Sequence, residues 1–441
     1  MRKINTFLII IIIILAFTEG AISLIGPSES SIRTLREVLI ILLFSLSFLK
    51  NTFYYSDSYS TAKKYWYYGL GSIALLFFLA IASMFYNDTS GIEFFLFFLR
   101  VLPPFLFFWS TLKINFNLDR VIFTLKIMVL LQIPAVIIKY FIIGISESGG
   151  IGMMSIHAGS LSTIFPLFVI SYIFSLYLSR KNKKYIILIF LFLLFGLIGG
   201  KRALIVYTPV LLFFILFIYN KGFKLNFKSS LVKQFFGLLI LGFVTFYFIA
   251  RFNPNLNPEE EIGGSFDIEH IINISTAYNT ATYEVGFSRV DAPQVLYSFL
   301  TKNGGNLLML IGVGPGDIIQ SSLNDKYPGV ENDRQLLMYK YGLGYGLRVG
   351  VLWVALQVGI IGALIYSLFF FKILRRIFKI LKTSNNSVTK EYCLGFIGMG
   401  FVFLLDFFTY SATFFYSGAI SISFFLIAVI IFKRFSKEIN Y

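Results

Sequence analysis

Charge is scarce in this chain. Only 14% of its 441 residues are Asp, Glu, Lys or Arg, where a soluble domain carries about a quarter. That shortage argues against an ordinary solvated globule. Cysteine is nearly absent: Cys393 alone excludes an intramolecular disulfide and any cysteine-rich metal cluster. His157 and His270 are the only histidines, too few for the usual zinc ligand sets. Acids are outnumbered by bases, 22 to 38, for a formal charge of +16. Such an excess first suggests nucleic acid, and its distribution decides against that reading.

What fills the chain is apolar sequence: 57% hydrophobic and 19% aromatic residues, with a mean hydropathy of +0.79. Apolar runs of about 20 residues read as membrane-spanning helices. About twelve are expected, at roughly 5–25, 35–50, 66–86, 92–110, 120–143, 159–179, 185–199, 203–219, 234–250, 349–371, 392–410 and 413–432. The start, Met1-Arg2-Lys3 and then an apolar run, mimics a signal peptide. No small-residue cleavage site follows promptly, so it reads as a retained first helix. The runs 185–199 and 203–219 are parted only by Gly199-Gly200-Lys201-Arg202, which fits two helices joined by a tight turn. The expected class is an all-α integral membrane protein. Residues 1–250 hold helices one to nine, 251–348 a large extracytoplasmic loop, and 349–441 helices ten to twelve with a cytoplasmic tail.

Basic residues gather on alternate connections. With the N-terminus inside, the cytoplasmic segments hold 24 of the 38 bases and only Asp57, Asp119, Glu391 and Glu438 as acids. The stretch 251–345 holds 11 of the 22 acids and six bases. This is the positive-inside pattern. It places both termini in the cytoplasm and the long loop outside, and it accounts for the charge without nucleic acid.

Several residues could carry chemistry. Arg202 immediately precedes the helix beginning near Ala203, and Arg348 precedes the one beginning near Val349. A helix N-terminus attracts anions, and an arginine there can grip phosphate through two parallel hydrogen bonds. The bland reading of either is an arginine, like neighbouring Lys201, snorkelling to lipid headgroups. Arg289 is the loop arginine followed by apolar residues at helical spacing, or a solvated surface charge. Arg100 and Asp406 lie deep in apolar sequence and could pair. Glu19, Lys126 and Lys139 lie within or near the ends of spans, as structural pairs or snorkelling groups. His157 is more simply a structural residue than a base. Gly312-Val313-Gly314-Pro315-Gly316 lacks the Lys-Ser/Thr of a Walker loop and reads as tight turns. The 53 Phe and 26 Tyr are expected on lipid-facing and interfacial surface.

Together these features resemble the O-antigen polymerase and O-antigen ligase superfamily of bacterial envelope enzymes. Its members have about twelve helices and a large outer loop between the ninth and tenth. Three local patterns carry the resemblance: Ile198-Gly199-Gly200-Lys201-Arg202-Ala203-Leu204, Ile311-Gly312-Val313-Gly314-Pro315-Gly316, and Gly359-Ile360-Ile361-Gly362. They span about residues 185–365. Ligases carry a histidine eleven residues before the first glycine of the last pair, and here that position is Arg348. The polymerases are instead reported with arginine, ten residues, glycine, which Arg348 and Gly359 match.

The resemblance implies a multi-pass glycosyltransferase of the bacterial cytoplasmic membrane that polymerises oligosaccharide repeat units, without a cofactor. Its substrate would be an oligosaccharide on undecaprenyl diphosphate in the outer leaflet, its product O-antigen, capsule or exopolysaccharide. A flippase and a chain-length regulator are the implied partners, beside membrane lipid. Arg202, Arg348 and Arg289 are the implied catalytic residues. Asp317, Glu331 and Asp333 are candidates for a general base. Rival readings are a ligase-type glycan transferase, a lipid-linked oligosaccharide flippase and a non-catalytic membrane protein.

Overall fold

The computed structural model describes residues 2–49, 59–144, 146, 149–156, 159–222, scattered positions between 236 and 252, 254–280, 290–319, 336, 341 and 349–439. Among them the regular structure is helical, with no strand. The main helices are α1 Arg2–Ser23, α2 Glu29–Leu49, α3 Tyr59–Tyr86, α4 Gly91–Val101, α5 Pro103–Lys113, α6 Leu118–Ile143, α7 Leu161–Arg180, α8 Lys184–Ile198 and α9 Arg202–Gly222. They continue with α10 Ile268–Thr280, α11 Ala292–Ile311, α12 Gly350–Thr383, α13 Ser387–Leu405 and α14 Gly418–Ile439.

Among the described residues, six helical segments are long and apolar enough to cross a membrane, and a seventh if the bent pair α4–α5 counts as one span. This is a multi-pass membrane protein. The six include α1, α6, α7, α12 and α14, with Ser387–Tyr410 as the sixth. The count falls short of the twelve expected for identifiable reasons. Helix α2 carries Glu29, Arg33, Arg36 and Glu37 in its first turns. Among the described residues, Gly71–Tyr86 of α3, Lys184–Gly196 of α8 and Val206–Gly222 of α9 are shorter apolar stretches. About half of the expected ninth span, 234–250, lies outside the described residues.

Breaks in the helices follow from their residues. Pro103 and Pro104 begin α5 directly after Leu102, and the chain bends by 49° there. Proline withholds the N–H that would continue the α4 ladder. Helix α12 has 34 residues and would run about 51 Å if straight, against a hydrocarbon core of about 30 Å. It is broken at Val358 and Gly359, whose backbone is not helical. After α13 the chain makes a π-helical turn, Asp406–Tyr410, then a short helical turn, Thr413–Tyr416, before α14.

Aromatic rings form much of the interior. Phe370 stacks on Phe403 at 4.1 Å, Phe396 meets Phe424 at 4.5 Å, and Phe105 meets Phe369 edge-on at 4.9 Å. The expectation of phenylalanines as lipid-facing surface is therefore corrected. Phe78, Phe123 and Phe141 do face outward, but Phe105, Phe370, Phe403 and Phe424 are fully buried. Lipid offers no hydrophobic gain over a protein interior, so contact quality decides, and ring pairs supply it. On α13, small residues allow close approach: a Cβ at Gly395, Gly398 or Gly400 would meet Tyr172, Ile215 or Leu374 within 2.8 Å.

The start of the long loop also folds on itself. Buried Asn257 donates to Glu261 O at 2.8 Å and accepts from Glu261 N–H at 3.1 Å. Arg251 donates to Gly264 O at 2.9 Å and Gly263 O at 3.0 Å.

Candidate functional site at the helix breaks

The break in α12 exposes the carbonyls of Leu356 and Gln357. Orphaned backbone groups at membrane depth persist only where protein or water satisfies them. Here the glycine stretch 312–316 does so. Val313 N–H donates to Leu356 O at 2.8 Å, and Gly314 N–H to Gln357 O at 3.3 Å. The Ser83 hydroxyl also donates to Gln357 O, at 3.3 Å. Gly316 N–H donates to Gln357 Oε1 at 3.0 Å, and Gln357 Nε2 donates to Trp353 O at 3.3 Å. From the turn after α3, Asn87 Nδ2 donates to Gly312 O at 3.0 Å. The loop stretch is thus a plug built on the broken helix.

Glycine is required at two points of this plug. Gly359 has φ +75°, and a Cβ there would sit 1.9 Å from Leu310 O. Gly316 has φ +82°, and its Cβ would sit 1.7 Å from Glu93 O. Side chains rarely adopt that backbone conformation, and neither position has room for one. Two of the three motifs read in the sequence therefore meet in space.

The third motif forms the predicted turn. Gly199 N–H donates to Phe195 O at 2.9 Å and Lys201 N–H to Gly196 O at 2.8 Å. The turn packs against Gly149–Ile151, with a Cβ at Gly150 falling 2.8 Å from Gly199 Cα. Arg202 is the first residue of α9, one position ahead of the start near Ala203 read from the sequence.

The π-helical turn joins the elements that follow the two candidate arginines. Tyr207 on α9 packs edge-on against Tyr410 with ring centroids 6.2 Å apart, and Thr163 shares a 3.1 Å hydrogen bond with the Tyr410 hydroxyl. Gly350, two residues after Arg348, lies against Phe407, so that a Cβ would fall 2.7 Å from its ring. The buried Asp406 carboxylate accepts from the Thr413 hydroxyl at 2.9 Å. Helix α9 and the start of α12 thus converge on residues 406–410. π-Turns inside helices are frequent at functional sites.

Several expectations have a definite outcome. Arg348, Arg289, His157, Glu331 and Asp333 lie outside the described residues, as does the side chain of Arg202. Asp317 is buried at the end of the glycine plug and accepts a hydrogen bond from the Tyr341 hydroxyl. Among the described residues no close ion pair joins Arg100 to Asp406. The Arg100 guanidinium lies over the Tyr416 ring, 5.2 Å from the centroid. Glu19 is a structural partner, bonded to Arg33 and Arg36. Lys139 donates to Ser155 O at 3.3 Å, and Lys126 is exposed. Sequence reasoning does not single out Gln357, although an amide in an apolar helix two residues before a glycine is a usable signal.

The chain matches no protein-family model and no curated protein.

Proposed function

We propose that this protein polymerises lipid-linked oligosaccharide repeat units at the outer leaflet of a bacterial cytoplasmic membrane. In this reading the chain has about twelve spans, both termini in the cytoplasm and residues 251–348 outside. The observation that carries it is the docking of the Gly312–Gly316 stretch on the break at Gly359. These two motifs of the resemblance lie 43 residues apart in sequence, counted from Gly316 to Gly359, and have a joint physical purpose.

In the proposed reaction, a hydroxyl at the non-reducing end of one lipid-linked unit attacks the anomeric carbon of another lipid-linked chain. The new C–O bond forms as the bond from that carbon to the diphosphate oxygen breaks. Undecaprenyl diphosphate leaves with the electron pair, and the hydroxyl proton passes to a base or to the departing diphosphate. Charge grows on that diphosphate. Arg202 and Arg348, fixed at helix starts, would stabilise it, with Arg289 from the loop assisting. Losing one such donor costs about 3 kcal/mol of barrier, on the order of a hundredfold in rate.

Reconstitution tests this directly. Purified full-length protein in vesicles, given a lipid-linked repeat unit of its host, is expected to convert it to a ladder of lipid-linked oligomers. Repeat units that remain monomeric, in vesicles where the protein is folded and inserted, would remove the polymerase reading.

A further inference from the structure

The inner part of α12 presents an exposed stripe that the proposed chemistry does not use. Beyond the break at Val358 and Gly359 the helix runs without interruption to Thr383. Ile361, Leu364, Leu368 and Phe371 are exposed, and so are Lys372, Arg375, Lys379 and Lys382. At 3.6 residues per turn these positions fall within an arc of about 100°. The opposite face is held in the bundle by Phe370, Ile373, Ile377, Ile380 and Leu381, all buried. The stripe therefore cannot rotate inward.

Its character changes once along its length. From Ile361 to Phe371 it is apolar over about 15 Å of helix axis, close to the hydrocarbon depth of one leaflet. From Lys372 to Lys382 it is basic over about 15 Å more, enough to cross a headgroup layer. A soluble acidic partner would match the basic half alone. A phospholipid matches both halves, with its acyl chain beside the apolar residues and an anionic headgroup beside the basic ones.

The basic half is also uncompensated. Helix α12 contains no acid. Other bases at this end of the bundle are engaged inside the protein. Arg180 pairs with Glu391 at 2.8 Å, Lys433 donates to Ile114 O at 2.7 Å, and the Arg434 guanidinium lies over the Tyr392 ring. Glu438 is occupied by the hydroxyls of Ser384 and Thr389. Among the described residues Lys372, Arg375, Lys379 and Lys382 make no ion pair. Lys372 donates to the Ser72 hydroxyl at 3.2 Å, and Lys382 lies 4.5 Å from the Phe378 ring centroid. Neither contact neutralises a charge. The positive-inside pattern accounts for bases on this side of the membrane. It does not set four of them on one fixed face below an apolar run of leaflet length.

We propose that this stripe binds an anionic phospholipid of the inner leaflet. Arg375 and Lys372 hold the phosphate, and an acyl chain lies along Ile361, Leu364, Leu368 and Phe371. Arg375 can offer two parallel N–H donors to phosphate oxygens, and Lys372 stands less than one turn away. Lys379 and Lys382, farther along, add to the attracting field. The site does not depend on the polymerase reading.

The test uses the full chain with Cys393→Ser and Leu368→Cys, labelled with bimane on the apolar half of the stripe, in phosphatidylcholine vesicles. Brominated phosphatidylglycerol or brominated phosphatidylcholine is titrated in, and quenching gives the relative affinity of the two lipids beside the helix. Phosphatidylglycerol is expected to be favoured about fivefold. Lys372→Gln with Arg375→Gln should remove the preference, and Arg375→Lys alone should keep most of it. Both positions are exposed, so the variants should fold, which unchanged thermal melting checks. Equal quenching by the two lipids around folded protein would overturn the proposal. So would a preference that survives the double substitution. An acidic protein that co-purifies with the parent chain and is lost with the double substitution, in the absence of a lipid preference, would also overturn it and give the face to a protein partner. The readout contains no polymer, so failure here leaves the polymerase reading standing, and a chain that makes no polymer leaves this site standing.

Discussion

At the scale of single residues, Gly359 is decisive. Its left-handed backbone ends one helix and lets Leu310 approach, so alanine meets both strain and a clash. Gly359→Ala is expected to destabilise the protein by at least about 2 kcal/mol. Gly71→Ala, at a helical position with open space around it, should be neutral. Thermal melting of the two purified variants checks this, and equal melting temperatures would remove the lock at the break. The glycines of 312–316 are legible in the sequence as turns, because glycine and proline announce turns locally. Their use is not. The N–H of Gly316 serves Gln357, 41 positions away, and no local pattern carries that pairing. Arg33, Arg36 and Glu37 escape sequence reasoning for a related reason. They sit at a helix start, where charges usually meet headgroups, and Arg36 and Glu37 are buried by residues distant in sequence, among them Glu19 and Gly418.

At the scale of elements, α1 and α2 are joined by an ionic clasp. Glu19 holds two arginines, and losing it would leave Arg36 buried beside a single remaining acid. Glu19→Gln is therefore expected to cost about 3–5 kcal/mol. Melting of the purified variant measures this, and a loss below about 1 kcal/mol would show the clasp to be peripheral. The break between α4 and α5 is foreshadowed by Pro103-Pro104. The break in α12 is foreshadowed only as a pair of glycines, since a glycine within an apolar run can be a packing contact or a hinge. The π-turn at Asp406–Tyr410 has no signal beyond a lone acid. Its form depends on Thr163, Thr413 and Tyr207, which arrive from elsewhere in the chain or from beyond the turn.

At the scale of the whole molecule, apolar runs make the helical class and the membrane setting plain. The number of spans is less legible. Among the described residues, length and hydropathy alone mark six or seven, while charge alternation argues for more. Orientation is open to direct test. In a Cys393→Ser chain, cysteine placed at Ile262 should react with a membrane-impermeant thiol reagent added outside spheroplasts. Cysteine placed at Asn385 should react only after permeabilisation. The reverse pattern would invert the topology and put the candidate arginines on the wrong side for a lipid-linked substrate.

The claim that arginines at helix starts drive polymerisation is tested most directly in cells. A deletion strain is complemented with the wild-type chain, Arg202→Ala or Arg348→Ala, and the length distribution of its surface polysaccharide is measured at matched protein level. Long chains are expected with the wild type, and collapse to single repeat units with either variant. Full-length polymer from the Arg348→Ala strain would contradict the assignment, and an unchanged ladder retained on the lipid carrier would favour a ligase instead.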